Sequence, residues 1–330
     1  MSQPNDARVL IVGCGTMGSY HLQAVASLAQ VREIEVVDPR PEALRLGRER
    51  LAETPGRCRS TTVRWLSSVE DAGRGGALCI IATQAQGRSQ LLRQVAETLS
   101  YTHFLVEKLV APSVAECEDM VDYSSTRGLS VWVNCQTRAY PFHQRVKARL
   151  QPEEPLILNV VGGNLGLATN GIHNADLFAF YDGASRIDGT GSSIDPMLHR
   201  TARGQWDLSG TLQGSTEKGS RLTMTYAGDH RLSEQLSISS RSYRCIVDHI
   251  QRWAVESEAA SGGQWRAIPF GDEMLVSRMT MTFASEIIAS GRCDLPALEE
   301  SLVSHRFILG ELQPHFNRLM GKELADAPVT

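Results

Sequence analysis

The sequence predicts an α/β chain in two regions. The first is an N-terminal parallel sheet flanked by helices; the second is a C-terminal α+β domain built on a large, mostly antiparallel open sheet. Three observations predict this. Short, wholly apolar runs alternate with amphipathic stretches through the first 140 residues, as in a parallel sheet buried on both faces. The first of these runs, Val9-Leu10-Ile11-Val12, empties into a glycine-rich turn and then a helix. Beyond residue 150 the pattern becomes apolar–polar alternation between short turns, which argues antiparallel strands with one face in the core.

The chain has 330 residues, enough for two domains. We set them at 1–140 and 141–330, with the final helix free to pack back on the first. Hydrophobic residues at 42% and charged residues at 21% describe an ordinary globular composition. A formal net charge of -4 leaves no basic footprint for nucleic acid. The opening Met-Ser-Gln-Pro-Asn-Asp lacks the basic and apolar regions of a signal peptide. No apolar run approaches the roughly 18 residues that span a bilayer, so no membrane partner is expected. Seven cysteines, an odd count without a CxxC pair, read as reduced thiols of a cytoplasmic protein with no metal site. Among them, Cys14 in the glycine loop and Cys135 at a strand end could touch a cofactor, but are expected to be small apolar fillers.

The first strand leads into Gly13-Cys14-Gly15-Thr16-Met17-Gly18, and an amphipathic run follows from His21 to Leu28. A second apolar strand, Ile34 to Val37, ends on Asp38, 20 residues after Gly18. This is the dinucleotide fingerprint in its full context. Gly13 makes the tight turn, Gly15 lets the backbone approach a pyrophosphate, and Gly18 lets helix and strand pack closely. The Asp38 carboxylate would receive the adenosine ribose hydroxyls and favours NAD, since it repels a 2′-phosphate. Arg40, two residues on, could instead welcome that phosphate, so NADP stays open.

Pro41 suits the first turn of a helix carried by Glu42 to Leu51 and closed at Thr54-Pro55-Gly56. Val63 to Leu66 is a third strand, and Ser67 or Ser68 caps a one-turn helix ending near Gly73. Ala77 to Ala82 is a fourth, with Thr83 and Gln84 at its carboxyl end, where open parallel sheets bind ligands. Arg88 to Leu99 is a helix. Phe104-Leu105-Val106 is a fifth strand ending on Glu107-Lys108. There an ammonium could hydrogen-bond a substrate hydroxyl and shed some proton affinity on desolvation. Equally, Glu107 and Lys108 could form a surface ion pair. Ser113 and Glu116 make a capping box for a helix to Arg127 that Gly128 ends. Val131 to Val133 is a sixth strand, and Pro141 to Leu150 a helix leading out.

In this order the parts resemble the Gfo/Idh/MocA oxidoreductases, a family named for glucose–fructose oxidoreductase and inositol dehydrogenase. The resemblance covers nearly the whole chain. It is carried by the glycine loop, Asp38-Pro39, Ile81-Ala82-Thr83, Val106-Glu107-Lys108-Leu109, Arg138 to Pro141, and Gly171-Ile172-His173-Asn174-Ala175-Asp176-Leu177. It implies a Rossmann domain, a lysine (Lys108) beside the nicotinamide, a histidine (His173) acting on the substrate hydroxyl, and sugar-like substrates. It also implies Thr16, Met17, Glu107 and Gln136 toward the cofactor and Arg138, Thr169, Asn170 and Asp176 toward the substrate.

The chain departs from the family pattern at several positions. Leu109 stands where proline is usual, Gln84 replaces a common proline, and Arg88 replaces a frequent histidine. The largest departure is Thr169, four residues before His173, where the family usually has aspartate. Four-residue spacing puts Thr169 and His173 on one helix face, which keeps a hydroxyl and loses a carboxylate. His173 then lacks an anion that would raise its basicity and orient it, and Asp176 is the candidate substitute. The run Gly166-Leu167-Ala168-Thr169-Asn170-Gly171-Ile172-His173 resembles a branch met in bacterial surface-sugar biosynthesis.

In the second region, Leu156 to Val161 is a strand and 162–166 a loop crossing into the helix of His173, which ends at Gly183. Strands are expected at 206–212, 221–226, 234–239, 243–247 and 264–268, with Gly219-Ser220 and Gly228-Asp229 as turns. Trp206, Trp253 and Trp265 are expected to fill this sheet. Helices are expected at 272–289 and 295–320, with His305 a lesser candidate for the site. The irregular 184–203 reads as a substrate-facing loop. The open sheet face suggests a homodimer or homotetramer.

These features predict an NAD(P)-dependent oxidoreductase moving a hydride to or from a carbinol carbon of a sugar, sugar nucleotide or polyol. Two alternatives remain. One is a redox-neutral epimerase or glycoside-cleaving enzyme with tightly held cofactor. The other is a non-catalytic nucleotide-binding sensor, which the loss of the carboxylate at Thr169 motivates.

Overall fold

The computed structural model describes residues 6–58, 60–163, 166–201, 204–228, 233–269 and 276–329. Met1 to Asn5, residues 164–165 of the crossing loop, Arg203, Asp229 and the expected start of the penultimate helix at Asp272 lie outside the described residues.

The chain divides into two compact units. One comprises Met1–Ala111, Glu118–Asn134 and Glu273–Leu298; the other comprises Pro112–Cys117, Cys135–Asp272 and Glu299–Thr330. In the first, β1 (Ala7–Val12), α1 (Thr16–Val25), β2 (Val31–Val37), α2 (Pro41–Ala52), β3 (Thr62–Leu66), β4 (Leu78–Ile81), α3 (Arg88–Leu99) and β5 (His103–Val106) are followed by α4 (Val114–Thr126) and β6 (Ser130–Val133). Every strand pairing is parallel, in the order β3-β2-β1-β4-β5-β6. This is the doubly wound order whose ligand crevice lies where the winding reverses, between β1 and β4. Val9, Leu10, Ile11, Leu78 and Cys79 are fully buried, as their wholly apolar runs require. Helix α1 starts at Thr16, five residues earlier than its apolar stripe suggested, because the glycine loop itself feeds the helix.

The second unit continues with α5 (Pro141–Arg149), β7 (Ile157–Gly163), α6 (Gly171–Asp182), β8 (Asp188–Arg200), β9 (Trp206–Ser215), β10 (Arg221–Ala227), β11 (Gln235–Ser239), β12 (Tyr243–Asp248), β13 (Trp253–Glu258) and β14 (Trp265–Ile268). Helices α7 (Val276–Ser290) and α8 (Leu298–Met320) follow. The eight strands form one sheet, ordered β14-β13-β12-β11-β7-β10-β9-β8 and antiparallel except where β10 runs parallel to β7. Its inner face packs against α6 and α8. On β9, Gly214 admits the ring of Phe307 from α8, and a Cβ there would lie 2.9 Å from that ring.

Several sequence expectations are corrected. The stretch read as an irregular loop forms β8, an exposed edge strand without apolar periodicity that is held by pairing with β9. It is irregular in register at Gly189/Gly191 and Ile194/Leu198, and Gly210 of β9 (φ +115) comes so close that a Cβ would meet Ser193 O at 2.3 Å. Strand β13 was also missed, because Trp253-Ala254-Val255-Glu256-Ser257-Glu258 lacks clean alternation. Trp253 (42% exposed) and Trp265 (46%) lie on the outer face rather than in the core, and Trp206 is half-buried. An arginine lies over two of these rings, Arg244 over Trp265 and Arg200 over Trp206. Helix α7, assigned by chain order to the second region, packs against α1 in the first unit, where the Gln30 amide donates to Ser285 O at 3.1 Å.

Candidate active site

The glycine loop separates what the fold needs from what a ligand needs. At Gly13 (φ +95) a Cβ would stand 2.9 Å from the Ala82 carbonyl carbon, and at Gly18 it would stand 1.9 Å from Gly13 O. Both glycines are demanded by the close approach of β1, α1 and the end of β4. Gly15 is different, since a Cβ there would meet nothing within 4 Å. It also caps α1 with no side-chain hydrogen bond. The first N–H groups of α1, past Thr16 and Met17, thus face open space with the positive end of the helix dipole behind them. That cradle fits a pyrophosphate. Cys14 is buried, as expected of a filler.

Asp38, at the end of β2, is 2% exposed and turned toward this loop, where the Cys14 N–H donates to its Oδ2 at 2.8 Å. Arg40 donates three times to the same carboxylate: from its main-chain N–H to Oδ1 at 3.0 Å, from Nε to Oδ1 at 3.0 Å, and from Nη2 to Oδ2 at 2.9 Å. Burial raises the proton affinity of Asp38, but the Arg40 fork and the Cys14 N–H outweigh it and hold the carboxyl below its ordinary range. The two residues that argued for opposite cofactors are therefore partners.

At the carboxyl ends of β4 and β5, Thr83 and Lys108 are half-buried and Gln84 is exposed. The Lys108–Leu109 peptide bond is cis. Glu107 is not half of a surface ion pair; its carboxylate is turned inward and is 6% exposed. Its Oε1 receives His21 Nε2 of α1 at 2.9 Å and Asn134 Nδ2, just past β6, at 2.7 Å. The other ring nitrogen of His21 meets Thr280 Oγ1 of α7 at 3.0 Å. Burial works against the Glu107 charge, yet His21, Asn134 and the nearby Lys108 ammonium together hold the carboxyl at about 2. His21 and Asn134 were missed as members of this network. A histidine three residues past the last glycine of the loop was the available signal.

The second unit gathers its own cluster. Gln136 and Arg138 lie in a short turn, Gln136–Ala139, ahead of α5. The Arg138 guanidinium reaches Glu300 Oε2 at 3.0 Å and Asp176 Oδ1 at 3.5 Å, and lies 4.9 Å over the Phe180 ring. Asp176 is 1% exposed, and its Oδ2 accepts no hydrogen bond among the described residues. Burial dominates and Arg138 only partly offsets it, so the Asp176 carboxyl is pushed up to about 7. His173 is half-buried on α6, one turn from Asp176. His305 is fully buried, with Nδ1 2.8 Å from Ser301 O in its own helix.

At Thr169 the structure supplies a carboxylate that sequence spacing did not find. Asp207 of β9 is buried and accepts the Ala168 N–H at 2.8 Å, the Thr169 N–H at 3.0 Å and the Leu208 N–H at 2.8 Å. The Thr169 hydroxyl bonds it as well. Gly166 (φ +75) passes so close that a Cβ would overlap the Asp207 carboxylate at 2.0 Å. The turn carrying Thr169 and Asn170 into α6 is thus built around a carboxyl group from a strand some 38 residues later, whose proton affinity burial raises. In Trp206-Asp207-Leu208-Ser209 the acid falls on the polar side of the alternation, so the pattern gave no signal of its burial.

A sheet of this order, with a glycine turn closing its first strand, defines the class of α/β domain that binds nicotinamide dinucleotides. Comparison with known proteins narrows the class. Residues 7–135 match the model of the Gfo/Idh/MocA family, described as an oxidoreductase family with an NAD-binding Rossmann fold. That match covers the N-terminal region, which is similar to the NAD-binding Rossmann domain of the Gfo/Idh/MocA oxidoreductases. No curated protein matches the sequence. Solved structures share the fold across both regions. A UDP-N-acetylglucosamine 3-dehydrogenase from Acidithiobacillus ferrooxidans is 15% identical with a TM-score of 0.70, covering 97% of each chain. An oxidoreductase from Agrobacterium radiobacter, in complex with NAD+, L-tartaric acid and magnesium, is 14% identical with a TM-score of 0.72, covering 92% of this chain and 94% of the other. A lysine-to-alanine mutant of a 3-ketoreductase from Actinomadura kijaniata, in complex with TDP-benzene and NADP, is 14% identical with a TM-score of 0.69, covering 92% and 96%. No helix among the described residues is long and apolar enough to cross a membrane. Among them there is also no group of three or more metal-ligating side chains.

Proposed function

We propose that this chain interconverts a carbinol and a carbonyl carbon on a sugar, sugar nucleotide or polyol-like substrate, with Lys108 and His173 handling the hydroxyl proton. The observation that carries the reading is Lys108 itself, an ammonium at the carboxyl end of β5 with a buried, ionised Glu107 behind it. When bound, a nicotinamide supplies or accepts the hydride. Gly13, Gly15, Thr16, Met17 and Gly18 would hold its pyrophosphate, Asp38 and Arg40 its adenosine ribose, and Thr83 and Gln84 its far half. Lys108 donates a hydrogen bond to the reacting oxygen, and the imidazole of His173 takes or returns the proton. Arg138, Thr169, Asn170 and Asp176 orient the remaining hydroxyls, and Gln136 lies toward the cofactor. The sugar-nucleotide class is supported by the names of two similar structures, a UDP-N-acetylglucosamine 3-dehydrogenase and a 3-ketoreductase. Lys108→Ala and His173→Ala should each lower turnover on a sugar-nucleotide panel by about 10²–10⁴-fold and leave dinucleotide affinity nearly unchanged. Two variants that turn over like the wild type would sink the assignment.

The substitution at Thr169 bears on the non-catalytic sensor; the other alternative that the sequence leaves open is redox-neutral chemistry on a retained cofactor. A dinucleotide that survives dialysis, with no net NADH formed during turnover, would select it. The seven free cysteines support a reducing, cytoplasmic setting. A homo-oligomer through the outer face of the eight-stranded sheet is supported by Ile157 (46% exposed) and Val161 (61%), which project from β7 among serines and threonines. Val161→Arg should shift the sedimentation coefficient to that of a monomer, and an unchanged value would rule this face out.

A further inference from the structure

Arg88, which stands out in the sequence only as a departure from a frequent histidine, draws the carboxyl ends of β4 and β5 together. It is the first residue of α3, follows Gly87 in a left-handed conformation, and is 1% exposed. Its Nη1 donates to the carbonyl oxygens of Glu107 and Leu109, and its Nη2 to that of Thr83. Two of these carbonyls belong to the residues on either side of Lys108, and the third lies just past the end of β4. All three acceptors are neutral main-chain groups. A planar fork can bridge three such carbonyls at once; an imidazole or a lysine ammonium cannot match that geometry.

The charge is as informative as the fork. Burying a guanidinium is costly, and it is tolerated here because converging carbonyl dipoles face it. The main chain of Lys108 is therefore gripped on both sides by a buried cation, and it follows directly on Glu107, whose carboxylate is a buried anion. Groups that contact this segment include His21 from α1, Arg88 from α3 and Asn134 after β6, with Thr280 of α7 behind His21.

We propose that Arg88 is a positioning residue for Lys108: it clamps the main chain on both sides of Lys108 to the end of β4, and its positive charge opposes that of Glu107 in setting how readily the Lys108 ammonium yields a proton. This rests on the reading of Lys108 as a proton-handling group, and the test separates the two ideas.

The electrostatic half is read without turnover, by acetylating the full-length protein across a pH series and following Lys108 by peptide mass spectrometry. Arg88→Met removes a like charge and should move the labelling midpoint of Lys108 upward. Glu107→Gln removes an opposite charge and should move it downward, each by about half a pH unit or more. Arg88→Lys, which keeps the charge and loses the fork, should leave the midpoint near wild type. It should still lower kcat roughly ten- to a hundredfold, with KM little changed, because misplacement of a reacting group costs rate rather than binding. If Arg88→Met does not fold, Arg88→Gln takes its place. Equal midpoints in all variants, or shifts of the same sign for Arg88→Met and Glu107→Gln, overturn the proposal, as does Arg88→Lys with wild-type kcat. If Lys108→Ala were fully active, the functional reading would fall and the kcat effect with it. The opposed midpoints would still establish the electrostatic role of Arg88.

Discussion

Glu107 and Asp176 are both carboxylates at the inner limit of burial, one in each unit, and they stand at opposite ends of the carboxylate range. Desolvation pushes both upward. Glu107 receives two donors on one oxygen, His21 at 2.9 Å and Asn134 at 2.7 Å, and ends near 2. Asp176 has one arginine at 3.5 Å, shared with Glu300, and ends near 7. Burial alone does not set a carboxylate's state; the number and closeness of donors does. The first arrangement is a fixed anion beside a lysine. The second is a carboxyl that can change its charge near neutral pH, three residues from His173.

The contrast can be broken most directly at Glu107. A carboxyl held below its unfolded value stabilises the fold above that value and loses its contribution as pH falls through the folded one. Glu107→Gln should therefore cost about 3 kcal/mol of unfolding free energy at pH 7, and the deficit should shrink as the pH falls from 5 toward 2. Urea denaturation over that range measures it; a deficit independent of pH would mean that His21 and Asn134 do not favour the charged form. Asp176 has the opposite sign. Folded, it keeps its proton up to about pH 7, whereas unfolded it loses it near 4, so stability falls across that window as pH rises. Asp176→Asn should gain about 4 kcal/mol at pH 8 and little at pH 4. A loss at pH 8 would show that Arg138 compensates the anion fully.

The same contrast explains how much could be read from the chain. The first sheet and its dinucleotide crevice are local in sequence: each apolar run is a strand, and the glycines and Asp38 lie within 25 residues of one another. Lys108 was legible for the same reason, at the end of an apolar run. The carboxylate at Thr169 was not, because Asp207 reaches that turn from a separate strand, and only the pairing of β9 in the second sheet brings them together. Arg88 was legible as a departure but not as a brace, since its acceptors are main-chain carbonyls, which leave no trace in side-chain pattern. Strand β8 was hidden because edge pairing, not an apolar face, makes it a strand.

Asp38 lies between the two extremes and gives the smallest expected effect. It is buried like Asp176 and multiply bonded like Glu107, but its main partner, Arg40, has a side chain 67% exposed and can leave. An adenosine ribose must then compete with the Arg40 fork for the carboxylate, whereas a 2′-phosphate could draw the fork off and accept it bidentately. Arg40→Ala should release Asp38 to the ribose and tighten NAD relative to NADP. Asp38→Ala should free Arg40 and move the ratio the other way, each by roughly tenfold, or about 1.4 kcal/mol. Dissociation constants for both dinucleotides in the three proteins give the ratios. If both variants moved the ratio in the same direction, the pair would not be the element that weighs one cofactor against the other, and the choice would lie elsewhere along the loop.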